Sequence, residues 1–412
     1  MAALMLSPSV CSLTLRNRRK RAWACAAFAW AAVGLACTGH ALARVPPLPP
    51  RQAVAVVSRG VIWFNDGPIS LKSFHGGSKR LGAIKAVENP RAPVASSGSA
   101  VAAIPLAGEG NDTAFVGGVP PSPLVSIEQP KLLRGGGCKG WLPGGDFVVA
   151  EDDLVAAGEC QWDDRSVRQP LYIRSLRGGH WRVLRWLAVD SLPGRGGLYF
   201  NVSPILAAEG NLVAVGVQFS NAKMKVSIID VRNDRTVARF DLPDGYIAFA
   251  SHDRFVLSVP VLRSPEDHDF PLSSGDNLYH LALYSTRGRL IAELGSAQEP
   301  PLVSGMHLVT DEDQTVSVRS VTGGAPKAVI GFDAGRELVT LAFRWPTLVV
   351  VEKTGAPLLP SEVHCWSGEY GLAGKPFLRI FDLARSEPFV VAPAPVHVTP
   401  SNPLTNCGPA PP

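Results

Sequence analysis

One short unit recurs along this chain of 412 residues: an alternating strand, a polar turn and a second alternating strand. Its plainest copy is "VSIIDVRNDRTVARFDL" at residues 226–242. Five further copies are "PISLKSFHGGSKRLGAI", "LYIRSLRGGHWRVLRWL", "YHLALYSTRGRLIAEL", "VSVRSVTGGAPKAVIGF" and "FLRIFDLARSEPFVV". Before most copies stand two strongly apolar runs, as in "YIAFASHDRFVLSVPVL". A repeat of roughly 40 to 50 residues with two apolar inner strands and two alternating outer strands is typical of one four-stranded β-propeller blade.

The spacing of the copies predicts the number of blades. The gap between the first and second copies is about twice the others, so residues 92–133 are predicted to hide a divergent blade. The sequence therefore predicts a single propeller of seven blades, with six as the alternative. Beyond the first 43 residues, no long stretch repeats its apolar residues at helical spacing without glycine, proline or β-branched interruptions. The predicted fold class is therefore all-β.

The N-terminal segment indicates export. A basic run at residues 16–21 precedes an apolar stretch that ends in Ala41-Leu42-Ala43, which is the order of a secretory signal. We predict a signal peptide at residues 1–43 and a secreted or periplasmic protein that does not insert in a membrane after cleavage. The alternative is a membrane anchor through residues 22–43, because that apolar run is nearly long enough to span a bilayer.

Removal of the signal changes the charge of the chain. The full sequence has 40 basic and 35 acidic residues, and all five basic residues of the signal would leave with it. The mature chain would then be close to neutral, so we expect no nucleic-acid partner. It divides into a propeller domain at residues 44–395 and a Pro-rich tail at residues 396–412.

The cysteines favour disulfide bonds. Of seven cysteines, Cys11, Cys25 and Cys37 lie in the signal, and an even number in an exported chain is typical of disulfides. The remaining four are Cys138, Cys160, Cys365 and Cys407. They allow three pairings, of which sequence proximity favours the first with the second and the third with the fourth. No Cys-x2-Cys spacing occurs among them, and we predict no metal site and no cofactor.

The endings of two third strands carry a resemblance to a known group of propellers. Ile229-Asp230-Val231 and Phe381-Asp382-Leu383, each followed by a short polar turn, resemble the apolar-plus-Asp ending of WD-repeat and related exported bacterial propellers. Most blades lack the Gly-His pair and the Trp-Asp dipeptide of true WD repeats. The resemblance implies a scaffold used mainly for binding and occasionally for catalysis.

Three insertions interrupt the repeated unit between its second and third strands, at residues 159–169, 263–277 and 353–376. Because strands in a blade are antiparallel, the end of every second strand lies at the same rim as the start of every first strand. All three insertions are therefore predicted on one face. Long loops on a rigid scaffold suit binding, although surface loops also lengthen by drift at little cost. The predicted ligand-binding residues are Trp162, Asp163, Asp164, Asp267, His268, Asp269, His364, Trp366 and Tyr370.

The same geometry brings the cysteines together. Cys138 precedes a first strand and Cys160 follows the paired second strand, so the two are expected to meet at this rim. Cys365 lies in the third insertion, and Cys407 follows the last strand, which ends at the same rim. A bridge between Cys365 and Cys407 would tie down the C-terminal tail.

Two functions from different classes remain. The inner strands are mainly Val, Ala, Leu and Phe, whereas a propeller enzyme would need polar residues from several blades around the channel. The sequence therefore favours a non-catalytic, monomeric binding or scaffold protein that recognises a protein, peptide or glycan, with no catalytic residue assigned. The alternative is a hydrolase or lyase that uses an acidic pair with His268 or His364 as acid and base.

Overall fold

The computed structural model describes fifteen parts of the chain, all within one compact unit at Pro50–Pro412. They are residues 52–65, 68–83, 94–103, 113–128, 130, 147–158, 166–193, 199–201, 204–219, 223–261, 278–312, 315–332, 336–355, 375–384 and 389–391. In these parts every regular element is a β-strand, which confirms the all-β prediction.

The strands form consecutive antiparallel sheets along the chain. Blade 1 comprises β1 (Gln52–Val57), β2 (Gly60–Asn65), β3 (Pro68–Ser73) and β4 (Ser78–Ala83). Blade 2 comprises β5 (Val94–Ser96), β6 (Val101–Ala103), β7 (Thr113–Gly118) and β8 (Val125–Glu128). Blade 3 comprises β9 (Phe147–Ala150), β10 (Asp153–Ala157), β11 (Ser166–Ser175) and β12 (Arg182–Pro193), and β13 (Tyr199–Asn201) pairs with the end of β12. Blade 4 comprises β14 (Ile205–Glu209), β15 (Leu212–Phe219), β16 (Lys223–Asp230) and β17 (Arg235–Pro243).

The second half of the domain continues the pattern up to its last blade. Blade 5 comprises β18 (Tyr246–Ser251), β19 (Arg254–Pro260), β20 (Tyr279–Ser285) and β21 (Leu290–Ala297). Blade 6 comprises β22 (Leu302–Ser304), β23 (His307–Glu312), β24 (Thr315–Ser320) and β25 (Ala328–Gly331). Blade 7 comprises β26 (Arg336–Arg344), β27 (Thr347–Thr354) and β28 (Phe377–Asp382). The last described strand is β29 (Phe389–Val391).

The blades form a closed ring. The first strand of each blade contacts the first strand of the next, and β26 contacts β1. The prediction of seven blades is therefore confirmed, including the divergent blade, whose strands lie at residues 94–128. We call the edge where second strands lead to third strands the insertion rim, and the opposite edge, where first strands lead to second strands, the turn rim.

Apolar packing between neighbouring blades forms the core. Within the described residues the buried side chains fall into seven clusters, one for each pair of adjacent blades. In β27, for example, Leu348 and Val350 face blade 6 while Val349 and Val351 face blade 1. Because successive side chains of a strand point to opposite faces, a strand between two neighbours is apolar at almost every position.

Within the described strands, apolar packing between blades 1 and 7 closes the ring. Val54, Val56 and Val61 of blade 1 meet Ala342, Val349 and Val351 of blade 7. Among the described strands, none from one end of the chain completes the sheet at the other end.

The end of the domain departs from the repeated unit. The sequence "FLRIFDLARSEPFVV" suggested that β29 would follow β28 in one hairpin, but β29 instead pairs in parallel with β25 of blade 6. The tight turns after the third strands of blades 1, 3, 5 and 6 use glycines with positive φ, such as 93° at Gly76 and 84° at Gly77, and the turn of blade 4 uses Asp234 at 50°. The segment at residues 383–388 has no glycine, asparagine or aspartate and ends in a proline, so it is poorly suited to such a turn.

A serine or an aspartate ends the third strand in every blade except blade 2. Its side-chain oxygen accepts a hydrogen bond of 3.0 to 3.3 Å from a backbone N–H of the following turn. Such a bond fixes the turn locally. The residues are Ser73, Ser175, Asp230, Ser285, Ser320 and Asp382.

The two aspartates of this set differ in their surroundings. Asp230 is only 4% exposed. Its carboxylate accepts hydrogen bonds from Asn211 Nδ2 at 2.7 Å, Asn233 Nδ2 at 2.7 Å and Asn233 N at 3.1 Å. Burial alone would raise the pKa of Asp230, but the bonds from Asn233 and Asn211 and the charge of Arg235 lower it overall. Asp382 is exposed and accepts a bond from Ala384 N at 3.0 Å.

Asp230→Ala is expected to lower the free energy of unfolding by about 2 kcal/mol, because hydrogen bonds to a charged acceptor are lost at a buried site. The matched control Asp382→Ala should change it by about 0.5 kcal/mol or less. Urea denaturation at neutral pH would measure both values. Equal effects of the two substitutions would contradict a special role for Asp230.

The stabilisation by Asp230 should also depend on pH. Because the folded-state pKa lies below the ordinary 3.8, the stabilisation is present above pH 3.8 and is lost as the pH falls through the folded-state value. The difference in stability between the wild type and Asp230→Asn should therefore shrink only in strongly acidic solution. A difference that disappears already at pH 6 would contradict this assignment.

Candidate functional site

The insertion rim is the predicted binding surface. The described ends of its three interrupted strand pairs are Ala157 and Ser166, Pro260 and Tyr279, and Thr354 and Phe377. They belong to blades 3, 5 and 7 and lie at the same rim, as antiparallel order requires. All nine predicted ligand-binding residues lie in the insertions, outside the described residues, and their role stays a prediction.

A patch of exposed apolar side chains lies at this rim on blade 5 and the start of blade 6. Tyr246 is 50% exposed, Val261 48% and Leu278 44%. Leu302, at the start of β22, is 39% exposed. We call these residues, with Tyr279, the rim patch. Several solvent-exposed apolar side chains on one surface are typical of an interaction site.

Backbone pairing joins Val261 to Leu278, and a ring contact joins Tyr246 to Tyr279. Val261 N donates to Leu278 O at 2.7 Å, which extends the pairing of β19 with β20 to the base of the second insertion. The rings of Tyr246 and Tyr279 meet edge to face with centroids 6.0 Å apart. Burial, and then the neighbouring Tyr246 and Glu299, raise the pKa of Tyr279, so its hydroxyl stays protonated at neutral pH.

The sequence contained a signal for this patch that periodicity alone does not reveal. Tyr246 and Val261 belong to the apolar run at residues 246–262, which the sequence assigns to inner strands. They are exposed because they lie at the ends of their strands, beyond the packing of blade on blade. The informative feature was that Val261 and Leu278 flank the second insertion.

A buried ion pair lies close to the third insertion. Glu352 is fully buried, and its Oε1 accepts a hydrogen bond from Arg379 Nη1 at 2.8 Å. Arg379 also lies over the ring of Phe381, 4.9 Å from its centroid. A buried carboxylate of this kind is costly unless paired, so the pair fixes the start of β28 against β27.

An aromatic cluster lies on the opposite, turn rim of blades 6 and 7. The rings of His307 and Trp345 stack with centroids 3.6 Å apart, and Lys327 Nζ lies 5.0 Å from the Trp345 ring. His307 Nδ1 donates to Gly305 O at 2.8 Å. Burial and, to a lesser extent, the charge of Lys327 lower the pKa of His307, although the bond to Gly305 opposes this. The cluster joins two blades.

Other titratable groups with shifted pKa values are spread over different blades. Within the described parts of the chain, no three His, Cys, Asp or Glu side chains gather as metal ligands would. These parts also include no helix long and apolar enough to cross a membrane.

Comparison with known proteins identifies similar structures but no family. No family model and no curated protein sequence matches the chain. One similar structure is KlHsv2 with loop 6CD replaced by a Gly-Ser linker, at 10% identity and TM-score 0.41, covering 81% of this chain and 98% of that one. Another is the β-propeller domain of the Trilobed protease from Pyrococcus furiosus, at 8% identity and TM-score 0.37, covering 81% of each chain. Acylaminoacyl peptidase from Pyrococcus horikoshii gives 9% identity and TM-score 0.46, covering 81% of this chain and 52% of that one.

At these identities the likenesses assign neither a family nor an activity to the chain. The resemblance to WD-repeat propellers drawn from Asp230 and Asp382 is supported as far as the seven-bladed architecture.

Disulfide mapping tests the predicted bridges at the insertion rim. Phe147 at the start of β9 pairs with Ala156 near the end of β10, so the chain enters and leaves this strand pair at one rim. The four cysteines themselves lie outside the described residues. We expect peptide mapping without reduction to yield Cys138 linked to Cys160 and Cys365 linked to Cys407. A peptide joining Cys138 to Cys365 would contradict the pairing.

The His307 cluster predicts a pH dependence of stability. Because the folded-state pKa of His307 lies below the ordinary 6.5, the unfolded chain binds its proton more readily. The wild type should lose stability relative to His307→Phe as the pH falls below 6.5. Thermal unfolding of both proteins between pH 7.5 and pH 5 would measure this, and parallel curves would contradict it.

Proposed function

We propose that this protein is a non-catalytic binding or scaffold protein whose insertion rim recognises a protein, peptide or glycan ligand. The observation that carries the proposal is the rim patch, where Tyr246, Val261 and Leu278 expose apolar surface at the base of the second insertion. Aromatic and aliphatic anchors beside polar loops are the usual composition of a binding surface.

The scaffold supports this function by its rigidity. Every blade packs on both neighbours, so the strands that present the rim patch are fixed before a ligand arrives. Preorganised anchors lose less conformational entropy on binding than mobile ones do. The nine predicted residues of the insertions, with Trp366 and Tyr370 as aromatic anchors, would complete the surface around the patch.

Export is part of the same proposal. The segment at residues 1–43 has the order of a secretory signal, and a disulfide-bonded binding protein suits an oxidising compartment. Comparing the N-terminus of the protein recovered outside the cytoplasm with Met1 tests this part separately. An N-terminus at Arg44 would support it, and an intact Met1 would favour the membrane anchor at residues 22–43.

The ligand can be sought with peptide and glycan arrays probed with the mature chain, residues 44–412. For a ligand found in this way, Trp366→Ala is expected to weaken binding about thirtyfold, since a buried aromatic anchor contributes about 2 kcal/mol. Tyr246→Ala should weaken it about tenfold. His268→Ala should have a smaller effect that varies between pH 5 and 8, where histidine titrates.

Val237→Ala is the matched control, because Val237 on β17 is also 50% exposed but lies on the outer edge of blade 4. Its affinity should stay within about twofold of the wild type. Unchanged affinity of folded Trp366→Ala and Tyr246→Ala proteins would show that the insertion rim is the wrong surface. Turnover of an array ligand would instead favour the hydrolase or lyase alternative.

A further inference from the structure

A groove with a volume of about 630 Å³ opens on the turn rim, on the face opposite the insertions. Turns from blades 1, 2 and 3 line it, with Arg59, Ser99, Pro120, Pro121, Val125 and Arg177 among the lining residues. A cavity of this size can hold a drug-sized molecule or a few residues of an extended peptide.

Two arginines, one from blade 1 and one from blade 3, line the groove. Arg59 lies at the tip of the turn between β1 and β2 and is exposed. None of the ion pairs among the described residues involves Arg59, so its charge is available to a ligand. Arg177 lies in the turn after β11, and its side chain is 65% exposed.

The neighbours of Arg177 hold its guanidinium in place. Nε of Arg177 donates to Asp152 Oδ2 at 2.6 Å, and Ser99 Oγ donates to the other oxygen of the same carboxylate. Within the described residues the two terminal nitrogens of Arg177 make no hydrogen bond with another residue, and a planar guanidinium can donate two parallel bonds from this side. The arrangement therefore presents an oriented pair of donors to the groove.

Blade 2 supplies the apolar part of the groove. Here the turn after the third strand is Val119-Pro120-Pro121-Ser122-Pro123 instead of the serine and glycine turn of blades 1, 3, 5 and 6. It is held by Ser122 N donating to Val119 O at 3.2 Å and Leu124 N donating to Leu81 O at 2.9 Å. The proline rings are conformationally fixed, and Val125 beside them is 54% exposed. A rigid apolar wall results, with Arg59, which has no ion pair among the described residues, on blade 1 and Arg177, which shares its charge with Asp152, on blade 3.

We propose that this groove binds an extended acidic peptide segment. Two carboxylates of the segment would pair with Arg59 and Arg177, and an apolar side chain between them would pack on Pro120, Pro121 and Val125. Inorganic phosphate matches the arginines equally well but leaves the apolar wall unused, which is why the combination favours a peptide. The proposal concerns the turn rim and is independent of ligand binding at the insertion rim.

Fluorescence anisotropy with a labelled peptide Gly-Ser-Glu-Leu-Ser-Glu-Gly tests the proposal, with the matching peptide that carries Gln for Glu as control. The Glu peptide should bind at least about tenfold more tightly to the full mature chain, because a neutral Gln amide forms no ion pair with an arginine and offers one acceptor oxygen instead of two. Arg59→Gln and Arg177→Gln should each weaken binding about fivefold or more, and raised salt should weaken it further. Both arginines are exposed, so both variants should fold, which thermal unfolding checks.

Arg287→Gln is the matched control. Arg287 is an exposed arginine of the same rim in the turn after β20 of blade 5, and its substitution changes the net charge equally. It should leave the affinity within about twofold of the wild type.

Three outcomes would overturn the proposal. The first is no saturable binding of the Glu peptide up to about 1 mM, which corresponds to less than about 4 kcal/mol of binding energy. The second is an equal loss in all three arginine variants, which would indicate unspecific attraction. The third is a result in which inorganic phosphate binds through Arg59 and Arg177, while the Glu peptide and the Gln peptide bind with equal affinity.

Discussion

Apolar contact between neighbouring sheets is the constraint on which the rest of this structure depends. Each blade is too thin to bury its own surface, and strands such as β27 carry apolar side chains on both faces. Only a neighbour on either side removes that surface from water, and a ring is the arrangement that gives every blade two neighbours. The faces of the blades are consequently occupied by packing contacts. Side chains that are not needed for packing can be placed only at the two rims and along the outer edge.

The two rims differ in the length of the connections between their strands. The turn rim consists of short connections that are fastened to one another, as where Ser58 N donates to Gly98 O across blades 1 and 2, and Met306 N donates to Ala250 O across blades 5 and 6. The insertion rim receives the long connections and exposes Tyr246 beside one of them. A ligand at the turn rim would meet a preformed groove, whereas one at the insertion rim would meet loops anchored on fixed strand ends. The two surfaces could therefore be occupied at the same time.

The repeated unit predicted the architecture well because each hairpin is determined by residues that are close together in the sequence. The alternation at residues 226–242 fixes a hairpin, and its recurrence fixes the ring, even through the divergent blade at residues 92–133. The partner of β29 was not predictable in the same way, since it depends on whether a turn without glycine, asparagine or aspartate can close. The rim patch and the groove depend on which residues of different blades meet. Such juxtapositions, as between Arg59 and Arg177, have no counterpart in sequence periodicity.

Closure of the ring by packing has a consequence for how the chain is made. Synthesis proceeds from the N-terminus, so blade 1 can form its sheet early while the partner of Val54, Val56 and Val61 does not yet exist. That partner, residues 342–351, arrives only with the final blade. Until then the growing array carries an uncovered apolar sheet at each end. A chain interrupted before blade 7 would retain both sheets, and two such chains could stack on each other through the surfaces that normally complete a single ring.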